Sequence, residues 1–215
     1  MSGTLPQSPA PARVAIRSIA MGNFASIAHS GARQARSLGG QRWSLRFIYA
    51  AMTHEQLAPI FAFLVAQRGS HETFQVTLPS RCWPQRGAGG GNPQVNDAGG
   101  SPSTSQIGDR TVQTDNWPAS LTNALRAGDL LKYASHSKVY MATRDADSDG
   151  SGNLEITQEP MLLAEPPDND PIIIGPGVPF TVAAMGDALE VAAAPRHATA
   201  GGVYHFELDM IEVYP

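Results

Sequence analysis

The residues with the clearest potential for chemistry are the carboxylates of Asp145-Ala-Asp147-Ser-Asp149-Gly150-Ser-Gly-Asn153-Leu-Glu155. Oxygen ligands at positions 1, 3 and 5, with glycine at 6, copy the first half of a calcium loop, where a hard cation gathers carboxylates around a sharp turn. The second half departs from that pattern. Position 12, where a bidentate Glu belongs, is Ile156, and Glu155 falls one residue early. Position 8, normally apolar, is Gly152, and the flanks alternate like strands rather than helices. The spacing favours a solvated hairpin tip, and no metal or other cofactor is expected.

The other candidates are weaker. Gly87-Ala-Gly-Gly-Gly has the composition of a phosphate cradle, but no Lys-Ser/Thr follows it and no helix pattern begins there. A flexible loop is the expected reading. Six histidines (His29, His54, His71, His136, His197 and His205) are dispersed without metal-ligand spacing. Cys82 has no partner motif and reads as an inert thiol, and no Gly-x-Ser-x-Gly elbow supports a serine nucleophile. Glu207, Asp209 and Glu212 lie along one strand and read as a solvated or interface face. Trp43, Trp83 and Trp117 read as core or loop anchors, with a sugar platform as the rival. No catalytic residue, cofactor-binding residue or metal ligand is assigned, and the protein is not expected to be an enzyme.

Composition bounds the elements that must position such residues. The 215 residues are 42 % apolar and 16 % charged, with a formal charge of −4 that disfavours general attraction to nucleic acid or anionic lipid. Glycine and proline number 21 and 17, roughly 18 % of the chain against an average near 12 %. That indicates a β-rich, turn-rich chain and excludes a helical bundle. A single cysteine leaves no internal disulfide framework. Met-Ser-Gly-Thr-Leu-Pro lacks a basic start and an apolar core, and no apolar run approaches the ~20 residues of a spanning helix. The expectation is a protein made in the cytoplasm, with no signal peptide and no membrane association.

Residues 4–12, with three prolines, suggest an arm. Arg13–Ile19 is β-branched, and Trp43, Leu45, Phe47 and Tyr49 alternate with Ser44, Arg46 and Ile48 as in a half-buried strand. Thr53 and Gln56 fit a capping box, and Leu57, Ile60, Phe61, Leu64 and Val65 follow at helical spacing until Gly69. Pro59 implies a bend or a later start. Thr73–Leu78 returns as a strand, and residues 80–118 read as glycine-rich loops. Val139–Thr143 and Leu154–Thr157 read as strands of one hairpin. Residues 164–179, with five prolines around Ile172–Ile174, read as an extended connector. Phe180–Ala184, Ala188–Ala193, Val203–Leu208 and Met210–Val213 read as closing strands. The last two are nearly continuous, with Tyr204, Phe206, Leu208 and Met210 on one face. The architecture expected is a mainly β protein: a sandwich or barrel with one flanking helix and an inserted all-β segment.

Two groups of stretches carry a resemblance. One is Trp43-Ser-Leu-Arg-Phe, Met52-Thr-His-Glu-Gln-Leu-Ala-Pro-Ile-Phe-Ala-Phe-Leu, Arg68-Gly69 and Thr73-Phe74 to Leu78-Pro79. The other is Asp115-Asn-Trp-Pro, Gly128-Asp129-Leu, Val139-Tyr140, Gly152-Asn-Leu-Glu-Ile and Glu159-Pro-Met-Leu. Together they resemble the distal tail proteins of long-tailed, non-contractile bacteriophages, over most of residues 13–213. The resemblance implies a tail-tube-like β-sandwich with one flanking α-helix, built from residues 1–80 and 167–215. It implies a small inserted β-barrel, similar to an oligonucleotide-binding fold, over 81–166. It further implies a structural virion protein: a homohexameric ring at the tail tip, joined to the tail tube, tape measure and tail-tip hub proteins. DNA passes through its lumen without specific binding. No site residue transfers, because the family's function is assembly. A ring subunit needs an edge strand to pair with its neighbour, and the long terminal strand ending at Tyr214-Pro215 is a candidate for it. The alternative is a carbohydrate-binding adsorption module using Trp83 or Trp117.

Overall fold

The computed structural model describes residues 3–20, 22–37, 39–97, 105–175, 177–194 and 203–214. The first part of the chain forms β1 (Arg13–Ile19), β2 (Asn23–Ile27), β3 (Arg33–Ser37), β4 (Arg42–Met52), helix α1 (His54–Ala66) and β5 (Phe74–Thr77). Six strands follow as β6 (Gln94–Val95), β7 (Thr111–Asp115), β8 (Leu130–Tyr133), β9 (Val139–Ala142), β10 (Leu154–Glu159) and β11 (Ile172–Ile174). The chain closes with β12 (Pro179–Ala184), β13 (Val191–Ala194) and β14 (Val203–Glu212). The protein is mainly β, with about 40 % strand and one helix among the described residues.

The first sheet runs β1-β4-β14-β12-β5, and β13 also pairs with β14. Its centre is the β4–β14 ladder, where Trp43, Leu45, Phe47 and Tyr49 face the core in the alternation their sequence shows. Between Tyr49 and Met52 three steps of β4 oppose two of β14, and Ala51 takes φ 56°. This bulge changes the parity of the strand and turns Met52 inward as well.

Helix α1 covers this face with Leu57, Ile60 and Leu64, and Phe61 meets Phe206 edge-on at 6.4 Å. Both halves of the Thr53/Gln56 capping box are made. Pro59 sits inside the helix without displacing its start. The carbonyl of Glu55 loses its i+4 donor there, and the exposed position of Pro59 leaves that carbonyl to water. Val65, placed on the apolar stripe by spacing, instead projects to solvent. The contact is filled by Leu57, Ile60 and Leu64 with half-buried Phe61 and Phe63 at its flanks, and Val65 falls outside it.

Residues Gly3 to Leu5 lie along β5, with Leu5 N–H donating to the Gln75 carbonyl at 2.9 Å and Gln75 N–H donating to Gly3. The arm thus covers one edge of the sheet. The other edge is β1, whose strand partner among the described residues is β4 alone.

The second sheet runs β11-β8-β9-β10-β7-β6 and is a nearly closed six-stranded barrel. Closure comes from the Gln94–Pro171 bridge, where Ile172 N–H donates to Pro93 at 2.9 Å and Val95 N–H to Asp170 at 3.0 Å. Ile172–Ile174, which the prolines present as a connector, is therefore a barrel strand, and the second sheet extends to Ile174. Inside pack Val95, Val112, Leu131, Tyr133, Tyr140 and Ile156. Strands β8 and β9 are covered on both sides. Leu131 and Tyr140 face the barrel interior, while Leu130 and Val139 belong to the core of the first sheet. Burial on both faces explains why Leu130-Leu-Lys-Tyr and Val139-Tyr-Met-Ala are nearly continuous in apolar character.

Candidate functional site

The most deeply buried charges lie where the two sheets meet. Glu212, wholly buried at 0 % exposure, receives Val139 N–H at 2.8 Å, Trp43 N–H at 3.2 Å and the Lys138 ammonium. Lys138 also donates to the Gln41 carbonyl at 3.0 Å and its side-chain oxygen at 2.9 Å, beneath the ring of Tyr214. The Trp43 indole donates to the Val139 carbonyl at 2.9 Å. Burial pushes the Glu212 carboxyl up and the Lys138 ammonium down, and each charge opposes the shift of the other. The arrangement is a polar clamp that sets the orientation of barrel to sheet. It corrects the sequence reading of Glu212 as a solvated carboxylate. Glu212 shares the parity of Phe206, Leu208 and Met210 and so faces the core, whereas Glu207 and Asp209 face outward to Arg46.

A second carboxylate organises the glycine-rich loop. Asp129, 1 % exposed, accepts the backbone N–H groups of Arg86 at 2.7 Å, Gly87 at 2.8 Å and Arg126 at 2.8 Å. The loop runs on along the next segment, with Ala88 N–H donating to Asn123 and Gly89 N–H to Ala124. A Cβ at Gly87 would lie 2.7 Å from the Ala124 carbonyl, and one at Gly91 would lie 2.4 Å from that of Asn116. The glycines permit this close backbone approach. The loop is anchored, in place of the flexible segment its composition suggests.

The acidic turn packs along residues 121–127 and is not a free hairpin tip. Ala146 bridges Leu125, and Ser148 N–H donates to the Leu121 carbonyl. Asp145 accepts from Ala127 N–H at 2.9 Å and Asp147 from Asn123 N–H at 2.6 Å. Asp149 accepts from the backbone of Asn153 and Ser151 and from the Asn153 amide, contacts that hold its carboxyl below the usual range. The three carboxylates are thus directed to separate backbone donors. Among the described residues, no group of three or more His, Cys, Asp or Glu is placed to hold a metal ion.

The remaining candidates are scattered. His29, His54, His71 and His205 are exposed, Cys82 is an exposed free thiol, and His197 lies outside the described residues. Trp43 and Trp117 are buried, the latter donating to Thr114 at 2.8 Å, and the half-buried Trp83 donates to Gly128 at 3.1 Å.

His136 differs from the other histidines. Its ring packs between Tyr133 and Tyr140, at 5.5 and 5.6 Å, and neither ring nitrogen has a hydrogen-bond partner. Burial lowers its pKa below the ordinary 6.5, Asp170 opposes the shift and Lys132 adds to it. A depressed folded-state value means that the neutral ring is the form that favours folding. Its contribution is complete above pH 6.5 and is lost as pH falls from there through the folded-state value. Thermal melts between pH 7 and 5 are expected to fall less steeply for His136→Phe than for the unaltered chain. Parallel slopes would remove His136 as the cause.

Two surfaces absent from the sequence reading stand out by exposure. Strands β2 and β3 form a two-stranded ribbon of their own, in which every residue from Phe24 to Arg36 except Ala28 is exposed. Phe24 is 64 % and Ile27 77 % exposed. A ribbon with no core to face has no apolar alternation to detect. Its signal is charge: Arg13, Arg17, Arg33, Arg36, Arg42 and Arg46 precede Glu55, the first acidic residue of the chain.

The second surface is a fork in the first sheet. On the same side of β14, β13 pairs with residues 203–206 and β12 with residues 210–212. Residues 185–190 span the gap and enclose an open cavity of about 360 Å³ lined by Met185, Leu189, Leu208, Glu190, Glu207 and Asp209. Strand β14 is therefore a central strand, with β4 on one side and β12 and β13 on the other. This removes it as a candidate edge for pairing between subunits, since both of its sides are already paired.

No protein-family model matches the chain, and no curated protein matches it in sequence.

Proposed function

We propose that this protein is a structural subunit of a bacteriophage tail, a distal tail protein of the long-tailed, non-contractile class. Six copies form a ring at the tail tip, between the tail tube and the tip proteins, with the tape measure and hub proteins as further neighbours. DNA passes through the lumen and is not gripped. The protein is made in the bacterial host cytoplasm, ends in the virion and has no enzymatic role. In this reading, residues 1–80 and the chain from β12 onward form a tube-like sandwich domain. Residues 81–166 make up most of an inserted barrel of the oligonucleotide-binding kind.

The observation that carries the reading is the topology of the first sheet. Strands from both ends of the chain interleave in it, and the strands between β5 and β12 make a second, nearly closed sheet. The resemblance implies this interruption of one β unit by another. The open edge of β1 supports it further, because a ring subunit keeps an edge available to its neighbour. No helix among the described residues is long and apolar enough to cross a membrane.

Negative-stain electron microscopy with mass photometry tests the proposal. Six-fold rings with a central hole are expected. A chain that remains a compact monomer at every concentration, alone and with a tail tube protein, overturns it.

A further inference from the structure

The β2–β3 ribbon is built to be covered. A two-stranded hairpin alone is at best marginally stable in water, and this one exposes both of its faces. Its register pairs Phe24 with Arg36 and Ile27 with Arg33. Residues directly opposite each other in an antiparallel pair share a face. Phe24 and Ile27 differ in parity, so each face presents one large apolar side chain beside one guanidinium. The ribbon contains no acidic residue.

The fork on β14 has the complementary character. Met185, half exposed, and Leu189 give its cavity an apolar lining, and Glu190, Glu207 and Asp209 place carboxylates around it. Arg46 engages Asp209 at 2.9 Å and Glu207 at 3.4 Å, whereas Glu190 has no ion pair among the described residues. At about 360 Å³ the cavity exceeds the ~150 Å³ sites that accept a benzene ring.

We infer that the ribbon of one copy docks in the fork of the next, with the Phe24 ring in the cavity and Arg36 against Glu190 and Glu207. Knob and hole are different surfaces of the same chain, so the contact is heterologous and repeats from copy to copy. It closes into a ring where the rotation allows and otherwise extends as an open chain. The inference rests on the ring reading only for the number of copies.

The test uses the full chain in mass photometry and sedimentation velocity, with circular dichroism melts confirming that each variant folds. Phe24→Ser/Arg36→Ser removes the knob, and Glu190→Arg/Glu207→Arg reverses the hole. Each is expected to weaken association by roughly tenfold or more, the effect of losing a central anchor. Each variant keeps one intact half, so an equimolar mixture is expected to stop at discrete dimers.

Rings that persist in both variants overturn this contact and leave the six-copy ring standing. Ribbon-dependent assemblies of another number uphold the contact and overturn the six-copy ring. An unaltered chain that stays monomeric overturns both. Duplex DNA binding that Arg33→Glu/Arg36→Glu abolishes, with association unchanged, also overturns the contact and makes the ribbon a nucleic-acid arm.

Discussion

Glu212→Gln and Lys138→Met are each expected to lower unfolding free energy by about 3–5 kcal/mol, because each leaves the other charge buried without compensation. The whole stability of a domain is of the order of 5–15 kcal/mol, so either change brings the protein close to unfolding at moderate temperature. The site gives no easy escape. Glu212 is wholly buried, the Lys138 side chain is 2 % exposed, and the Trp43 and Val139 amides also depend on the carboxylate. The double variant Lys138→Met/Glu212→Gln is expected to recover most of the loss, since it removes both buried charges together while the introduced amide oxygen still accepts from a neighbouring backbone N–H. Urea denaturation of the four chains closes the cycle. Single-variant losses under about 1 kcal/mol, or losses that simply add in the double variant, would remove the clamp from the account of the junction.

The second large effect is expected at Asp129. Asp129→Ala leaves the amides of Arg86, Gly87 and Arg126 without their acceptor, at about 1–3 kcal/mol for each that stays dry. The expected loss is at least about 3 kcal/mol. Its local signature is release of the glycine-rich loop, read as new tryptic cleavage after Arg81 or Arg86 under conditions where the unaltered chain resists. Asp129→Asn keeps acceptor oxygen on one side of the group and is expected to lose less. Equal urea midpoints for Asp129→Ala and the unaltered chain would contradict this assignment.

Sequence pattern was most informative where one side of an element faces a core and the other faces water. Strand β4 shows this through Trp43, Leu45, Phe47 and Tyr49, and β14 through Phe206, Leu208 and Met210. The helix was legible from its cap, because a capping box is a local interaction that needs no tertiary partner. Elements outside those conditions left little trace. Ribbon β2–β3 faces solvent on both sides, β8 is buried on both sides, and β6 has only two residues, so none shows a period-two signal. Glu212 was legible in principle, since its parity matches the core face. Its charge outweighed that parity because a buried carboxylate needs a partner, and Lys138 is remote in sequence. Asp129 had no signal of its own: a lone aspartate becomes an organising acceptor only when tertiary structure brings three amides to it.

The position of β14 has a consequence for synthesis on the ribosome. The middle of the first sheet is supplied by residues 203–212, while the strand it lies against, β4, ends at Met52. Throughout translation of the intervening chain, Leu45, Phe47 and Tyr49 have no β14 side chains to pack on. The barrel strands 94–174 form one contiguous stretch and have their ladder partners within it. Emergence order thus makes the barrel the part of the nascent chain able to pair first. The first sheet acquires its central ladder only once Glu212 has left the exit tunnel, and until then its apolar face is the surface most in need of a chaperone.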